Sequence, residues 1–452
     1  MSPKYMMLAE KIKQQIINGD ADAGQKLPSI RQMAETLSCS KNTVIKAYSE
    51  LEKEHLIFSI PQSGYYIVRD FKRPRNPPGT VDFLSAGPDK HLLPYIEFQH
   101  CLNQAIEVYK EEIFTYTDQQ GLYSLRTEIV KNLQHSQVFT ETDRVVIVSG
   151  SQQALHLLTA FPFPNNKKNI LIEQPTYFGM IESLKIHQVT ACGIEVSMNG
   201  IDLELLEWMF KNNDIKFFYV IPRFHNPLGH SYTNSEKKKI VELANKYDVY
   251  IVEDDFLGEL ERDKKADPFF AFDPSGRVIY IQSFSKVFLP GLRIASAVLP
   301  DKMMKTFLRY KFSTDFNSPV LSQGALDIYL KSGMYHSHLK KIKDVYFNKM
   351  NRLKSACEQY LPEGTSYTKP DSGFYLSICL PHHLSARKLA LHLAEQQILL
   401  DDTSRMFLPD FNKDRLIRLC SSQVQDHQIA YGLEKIAQAI SELDHKRRMQ
   451  TQ

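Results

Sequence analysis

The chain has 452 residues, 43% of them hydrophobic and 24% charged, an ordinary globular composition with length enough for two or three domains. A formal net charge of +3 carries no bulk signal for a nucleic-acid partner. Six scattered cysteines without a CxxC pair suit reduced thiols better than a disulfide framework or a zinc site, and no apolar run is long enough to span a bilayer, so a soluble cytoplasmic protein without a metal or membrane partner is expected.

Leu8, Ile12 and Ile16 recur at helical spacing before "NGDADAG" breaks the pattern. Ser29 and Gln32 form a capping box that opens a second helix with Ile30, Met33, Ala34 and Leu37 on its apolar face. Ser40 caps a third helix carrying Val44, Ala47, Tyr48 and Leu51 at i, i+3, i+4 and i+7. Two short amphipathic helices joined so tightly predict a helix-turn-helix, and "LIFSIPQSGYYIV" predicts two strands around a turn as its wing. Double-stranded DNA is the expected partner. Lys41, Asn42, Thr43 and Lys46 would face the major groove, with Arg31, Ser63 and Gly64 at phosphates and the capping Ser40 also at the DNA. Residues 1–68 carry eight Lys/Arg against seven Asp/Glu, so the expectation rests on where the cations cluster and not on their number.

The stretch "AGQKLPSIRQMAETLSCSKNTVIKAYSELEKEHLI" resembles the winged helix of the GntR family over residues 5–68. In this chain Lys41 replaces the usual arginine and His55 a glycine. A lysine keeps a phosphate contact and loses the fork that reads guanine. "RDFKRPRNPPGT", residues 69–80, is basic, proline-rich and aperiodic, and is expected to be a semi-stiff linker.

From residue 81 to 452, β-branched runs alternate with helical stretches: "RVVIV", "NILIE", "FFYVI", "VYIVE", "VIYIQS" and "IASAVL". That alternation predicts an α/β domain, a mainly parallel sheet with helices on both faces and a smaller C-terminal α+β subdomain. Polar clusters follow these runs at Gly150–Gln153, Pro175–Tyr177, Asn226–Gly229, Asp254–Asp255 and Ser283–Lys286. Ligands of open α/β sheets bind beyond the carboxyl ends of strands, so the five clusters predict one site.

The residue types at that edge suit pyridoxal 5'-phosphate, which needs an amine for its aldehyde, an anion at its pyridine nitrogen, a phosphate cradle and a flat ring partner. Lys286 supplies the catalytic amine and Asp254 the anion. Asn226 donates to the ring oxygen and Tyr177 stacks. Ser151 and Gln152 open a helix whose terminus attracts phosphate, and Arg293 closes the grip. Ser283 and Ser285, two apart on an extended backbone, would present both hydroxyls to the phosphate. The motifs "YTDQQGLYSLR", "VSGSQQAL", "EQPTYFG", "PRFHNPLG", "VEDD", "SFSKVFLPGLRIA" and "IRLCSS" resemble fold-type-I enzymes of the class I aminotransferase group. That resemblance implies an aldimine at Lys286, a substrate-carboxylate clamp at Arg418, and Tyr116 reaching the phosphate of a neighbouring subunit. Such enzymes carry a tyrosine two or three places after the aspartate, where this chain has Phe256 and Leu257.

A GntR-type winged helix fused to such a domain is the architecture of the MocR family of transcriptional regulators. The resemblance implies a domain-exchanged homodimer that binds operator DNA and senses a small amino-compound effector, or pyridoxal phosphate itself. The alternative is a true aminotransferase carrying a DNA-binding extension.

Overall fold

The computed structural model describes residues 3–18, 24–54, 56–61, 63–68, 79–197, 200–411 and 413–450, with side chains to 445 in the last helix. The chain divides into two compact units, Met1–Pro78 and Gly79–Gln452. His55 and most of the expected linker, residues 69–78, lie outside the described residues.

The first unit contains helices α1 (Lys4–Asn18), α2 (Ile30–Thr36) and α3 (Lys41–Lys53), then strands β1 (Ile57–Ile60) and β2 (Gly64–Ile67). The capping box at Ser29–Gln32 forms, and the Ser40 hydroxyl accepts the Thr43 amide at 3.1 Å. Val44, Ala47, Tyr48 and Leu51 are all buried, packing on Leu8, Ile12, Ile57 and Ile67. Tyr48 carries its hydroxyl into this core by donating to Pro28 O at 2.8 Å, which satisfies the polar end of an otherwise apolar anchor. The strands pair antiparallel from Ile57–Ile67 to Ile60–Gly64, and Gly64 at φ 118° takes a backbone conformation that a side chain would strain. This is a winged helix.

The second unit is built on strands β3 (Val81–Asp82), β4 (Val145–Val148), β5 (Asn169–Gln174), β6 (Ala191–Ser197), β7 (Gly200–Ile201), β8 (Ile215–Val220), β9 (Tyr250–Asp254), β10 (Val278–Ser283) and β11 (Ala295–Val298). Its C-terminal part adds β12 (Ser366–Tyr367), β13 (Tyr375–Cys379), β14 (Ile398–Leu399) and β15 (Leu416–Cys420). The large sheet runs β4-β11-β10-β9-β8-β5-β6-β7, parallel from β10 through β9, β8 and β5 to β6. Its near-continuous apolar strands are what burial on both faces requires. One apolar cluster contains Ile172, Phe217, Tyr219 and Val252; another contains Leu171, Phe218, Val220 and Ile251. Neighbours in sequence alternate between the two, as a pleated strand demands. A smaller sheet, β12-β13-β15, carries its own core with Leu353, Leu389, Leu433 and Ile436.

All six strands predicted from the sequence form. Strand β6, "ACGIEVS", was not among them; its glycine and interleaved polar residues dilute the β-branched signal that marks the others.

Candidate cofactor and effector site

On the first unit, α3 exposes Lys41, Asn42 and Lys46, and Ser40 and Thr43 sit at its start. Arg31 lies on the solvent side of α2 in an exposed pair with Glu35 at 3.1 Å, a contact that is readily exchanged for another partner. At the wing tip, Ser63 Oγ meets Tyr66 Oη at 2.6 Å, beside Gly64. The structure adds Lys26, exposed and bridged to Tyr66, whose Nζ lies 5.9 Å from that ring. Lys26 precedes the helix-opening Pro28, so spacing alone gave no reason to join it to the wing.

On the second unit, the five polar clusters follow the carboxyl ends of β4, β5, β8, β9 and β10. Asp254 closes β9 and is buried. Its Oδ2 accepts the Tyr219 hydroxyl at 2.9 Å, while its buried Oδ1 accepts no hydrogen bond from the protein. Burial pushes the carboxyl up to about 7; the Tyr219 hydrogen bond opposes this, Asp255 adds to it and Lys286 opposes it. Lys286 Nζ donates to Ala86 O at 2.8 Å. Burial lowers this amine to about 8; Cys420 works against the shift and Arg418 with it. A lysine so displaced holds a useful fraction of neutral, nucleophilic amine near neutrality.

Ser283 and Ser285 correct the extended-backbone premise. Strand β10 ends at Ser283 and the chain turns, so that the Ser285 amide donates to Ser283 Oγ at 3.3 Å. Ser285 Oγ is buried without a partner in the protein. Gly150, at φ 81°, caps the helix Ser151–Ala160. A Cβ at Gly150 would collide with the guanidinium of Arg293, so the glycine permits that close approach. Gln152 reaches across to Gly179 O (2.9 Å) and Ser183 Oγ (3.0 Å), leaving its Oε1 buried and unpartnered. Tyr177 precedes the helix Phe178–His187, and burial raises its hydroxyl to about 12, with Asp254 adding to that rise and Arg293 and Arg405 opposing it. These interactions bring Tyr177, Asp254, Lys286, Arg293 and Arg418 into one electrostatic neighbourhood.

Arg418, on β15, is deeply buried. Its Nη1 donates to Asn226 Oδ1 at 3.0 Å and its Nη2 to Leu84 O at 3.1 Å, and Nη2 pairs with Asp401 Oδ2 at 3.0 Å. The guanidinium lies 5.0 Å over the Tyr375 ring. Because Asn226 Oδ1 is taken, Nδ2 is the amide group left to donate. Tyr116 stands apart: it is 83% exposed and rests against Phe316. Sequence reasoning missed Tyr219, Asp401, Arg405 and the carbonyls of Leu84 and Ala86. Tyr219 is one hydroxyl in an apolar strand, and a carbonyl has no sequence signature.

The residues fit pyridoxal phosphate. A buried carboxylate oxygen and a buried serine hydroxyl stand unpartnered, a glycine keeps space beside an arginine, and an amine with a depressed pKa lies alongside. Among the described residues no helix is long and apolar enough to cross a membrane, and no cluster would hold a metal ion.

Comparison with known proteins agrees. The family of aminotransferases class I and II matches residues 90–436, and the gntR family of bacterial regulatory proteins matches residues 4–67. The chain is 43% identical to the HTH-type transcriptional regulator YcxD of Bacillus subtilis, over 95% of this chain and 98% of that protein. Its fold is similar to that of the kynurenine aminotransferase of Pyrococcus horikoshii solved with PMP, with a TM-score of 0.74 and 26% identity over 80% of this chain and 91% of that one. It is also similar to the alpha-aminoadipate aminotransferase LysN of Thermus thermophilus, solved with N-(5'-phosphopyridoxyl)-L-leucine, with a TM-score of 0.75 and 25% identity over 81% and 93%. The chain therefore belongs to the MocR-type transcriptional regulators, in which a GntR-family DNA-binding domain is fused to a pyridoxal-phosphate domain of the aminotransferase fold.

Proposed function

We propose that the large unit senses a small amino compound and that this binding alters the affinity of the protein for operator DNA. One observation carries this reading. The segment Leu84–Gly87 supplies the carbonyls that hold both ligand-binding groups: Leu84 O takes Arg418 and Ala86 O takes Lys286. Gly87 O accepts the Ser422 hydroxyl at 2.7 Å, which fixes the segment to the strand end that bears Arg418. A ligand carboxylate at Arg418 must compete with Leu84 O for the guanidinium N–H groups, and Lys286 gives up its bond to Ala86 O when its nitrogen is engaged. Release of this segment is the change within the large unit that separates the liganded state from the unliganded one in this reading.

When bound, pyridoxal phosphate would supply an aldehyde with which the amine of Lys286 or of a ligand can condense, with loss of water. Asp254 would hold its pyridine nitrogen, Asn226 Nδ2 would donate to the ring oxygen and Tyr177 would cover a ring face. Ser151, Ser283, Ser285, Arg293 and the backbone amide of Gln152 at the helix terminus would hold the phosphate, joined by Tyr116 of a second copy. The exposed Tyr116, Phe114 and Ile96 support a homodimer, since surface aromatic and aliphatic groups of this size favour burial. We assign it the domain-exchanged arrangement. On DNA, Lys41, Asn42, Thr43 and Lys46 face the major groove, with Arg31, Ser40, Ser63 and Gly64 at the backbone.

A second reading, turnover as an aminotransferase, is favoured by the intact set of Lys286, Asp254 and Asn226. Against it stand Phe256 and Leu257, which provide no hydroxyl to the ring oxygen. The test is a titration of an operator selected from random DNA, with and without pyridoxal phosphate and amino acids, on the native protein and Lys286→Ala. Sensing gives a shift in DNA affinity of roughly 5- to 150-fold that the variant loses, and DNA shifts ligand affinity by the same factor. DNA binding indifferent to every ligand, together with steady consumption of an amino donor, establishes the enzyme instead.

A further inference from the structure

Asp401 binds two arginines with one oxygen. Its Oδ2 lies 3.0 Å from Arg418 Nη2 and 3.0 Å from Arg405 Nη2, while its Oδ1 accepts the Thr403 amide at 2.9 Å. Asp401 and Arg418 are buried, whereas the Arg405 side chain is half exposed, with its guanidinium 4.2 Å over the Phe178 ring beside Tyr177. Backbone bonds in both directions hold residues 401 and 418 opposite each other, so Asp401 cannot drift from the strand.

The donors of Arg418 are unevenly used. Nη1 is spent on Asn226, and Nη2 on Leu84 O and Asp401, but Nε is buried with no partner in the protein. A carboxylate binds a guanidinium best through two parallel N–H groups, and the edge that contains Nε also contains Nη2. A bidentate ligand on that edge meets the nitrogen that Asp401 now holds. One carboxylate against two guanidinium groups leaves one positive charge, which one ligand carboxylate balances.

We propose that Asp401 is an internal stand-in for the ligand carboxylate, and that Arg405 is the positioning residue that keeps hold of Asp401 when the ligand takes Arg418. The device keeps Arg418 compensated without a ligand, because a buried unpaired guanidinium is strongly unfavourable. It also makes release cheap, because Asp401 retains a cation. The site therefore selects amino acids over the corresponding amines. This inference rests on the sensing reading above and adds to it how Asp401 and Arg405 set the selectivity of Arg418 for a carboxylate.

The two substitutions that alter this carboxylate act in opposite directions. In Arg405→Gln, Asp401 has only Arg418 and competes harder with a ligand carboxylate. In Asp401→Asn, Arg418 loses its competitor and the ligand becomes its only counter-charge. The experiment titrates the cofactor-loaded protein with an amino acid and its decarboxylated amine, read by visible absorbance and by calorimetry. The ratio of the two affinities cancels any general loss of fold. The native protein is expected to favour the amino acid by roughly ten- to a hundredfold, the range of a charge-assisted pair. Arg405→Gln lowers that ratio by about two- to fivefold, the scale of a partly exposed ion pair. Arg405→Lys restores part of it, and Asp401→Asn raises it. If both ligands bind and the ratio is the same in all four proteins, or both substitutions move it the same way, the stand-in role is wrong. If neither ligand binds the native protein, the sensing reading falls, and this inference with it.

Discussion

The hydroxyl of Tyr219 donates to Asp254 Oδ2 at 2.9 Å while the other oxygen of Asp254 is buried and unpartnered. One oxygen is thus anchored by the protein and the other is left for the pyridine nitrogen. Tyr219 orients the carboxylate and also lowers its pKa against the burial that raises it. Tyr219→Phe removes both effects. Cofactor affinity should fall about tenfold, the worth of one buried hydrogen bond to a charged group. Fluorescence titration of the apo-protein checks this; an unchanged affinity means that packing alone orients Asp254.

The amine of Lys286 should report its lowered pKa in kinetics. Its neutral form grows as pH rises and levels off above about 8, not near the 10.5 of an ordinary lysine. The rate at which apo-protein captures pyridoxal phosphate should therefore rise with pH and flatten near 8. Borohydride should then fix a pyridoxyl group on Lys286, and Lys286→Ala should take up none. A rate still climbing at pH 10 contradicts the buried environment.

Buried Asp254 titrates in stability as well. Its folded pKa, about 7, is above the 3.8 of the free side chain, so the folded state binds its proton more tightly than the unfolded one. The contribution is fully present below pH 4 and is lost as pH rises through about 7. Glu253 and Glu259, also raised by burial to about 7, add in the same sense. The apo-protein should lose thermal stability between about pH 4 and 7, and Asp254→Asn should flatten part of that slope, on the order of 2–4 kcal/mol. A slope identical in the variant assigns the loss to the two glutamates.

Gly150 should not tolerate a side chain. Its φ is 81° and an added Cβ would collide with Arg293. Gly150→Ala is expected to displace the guanidinium and weaken cofactor binding at least tenfold, with 1–2 kcal/mol of backbone strain as a second effect. Calorimetry with pyridoxal phosphate and with pyridoxal separates the two: a lost grip on phosphate affects only the first.

In the winged helix, Lys41→Ala should weaken operator binding and reduce the log–log salt slope by slightly under one unit, the signature of one phosphate contact. Its exposure at the first turn of α3 leaves the core of the unit unaffected. An unchanged slope places Lys41 away from the backbone.

The sequence by itself determined the winged helix, because that unit is local: a capping box, a serine cap, helical periodicity and a tight turn lie within a few residues of what they organise. It also determined the parallel sheet and the positions of Asp254, Asn226 and Lys286, since a polar cluster after a β-branched run marks a strand's carboxyl end. What it misjudged was the backbone at Ser283–Ser285, where alternation was extended past the point at which the strand turns. Tertiary structure alone decided the partners that come from far along the chain. Tyr219 reaches Asp254, Ala86 reaches Lys286 across 200 residues, and Asn226 meets Arg418 across 192. The physical reason is that a donor's identity is written in its own residue, whereas its acceptor is whichever oxygen the packed chain brings within 3 Å, and a backbone carbonyl belongs to every residue alike.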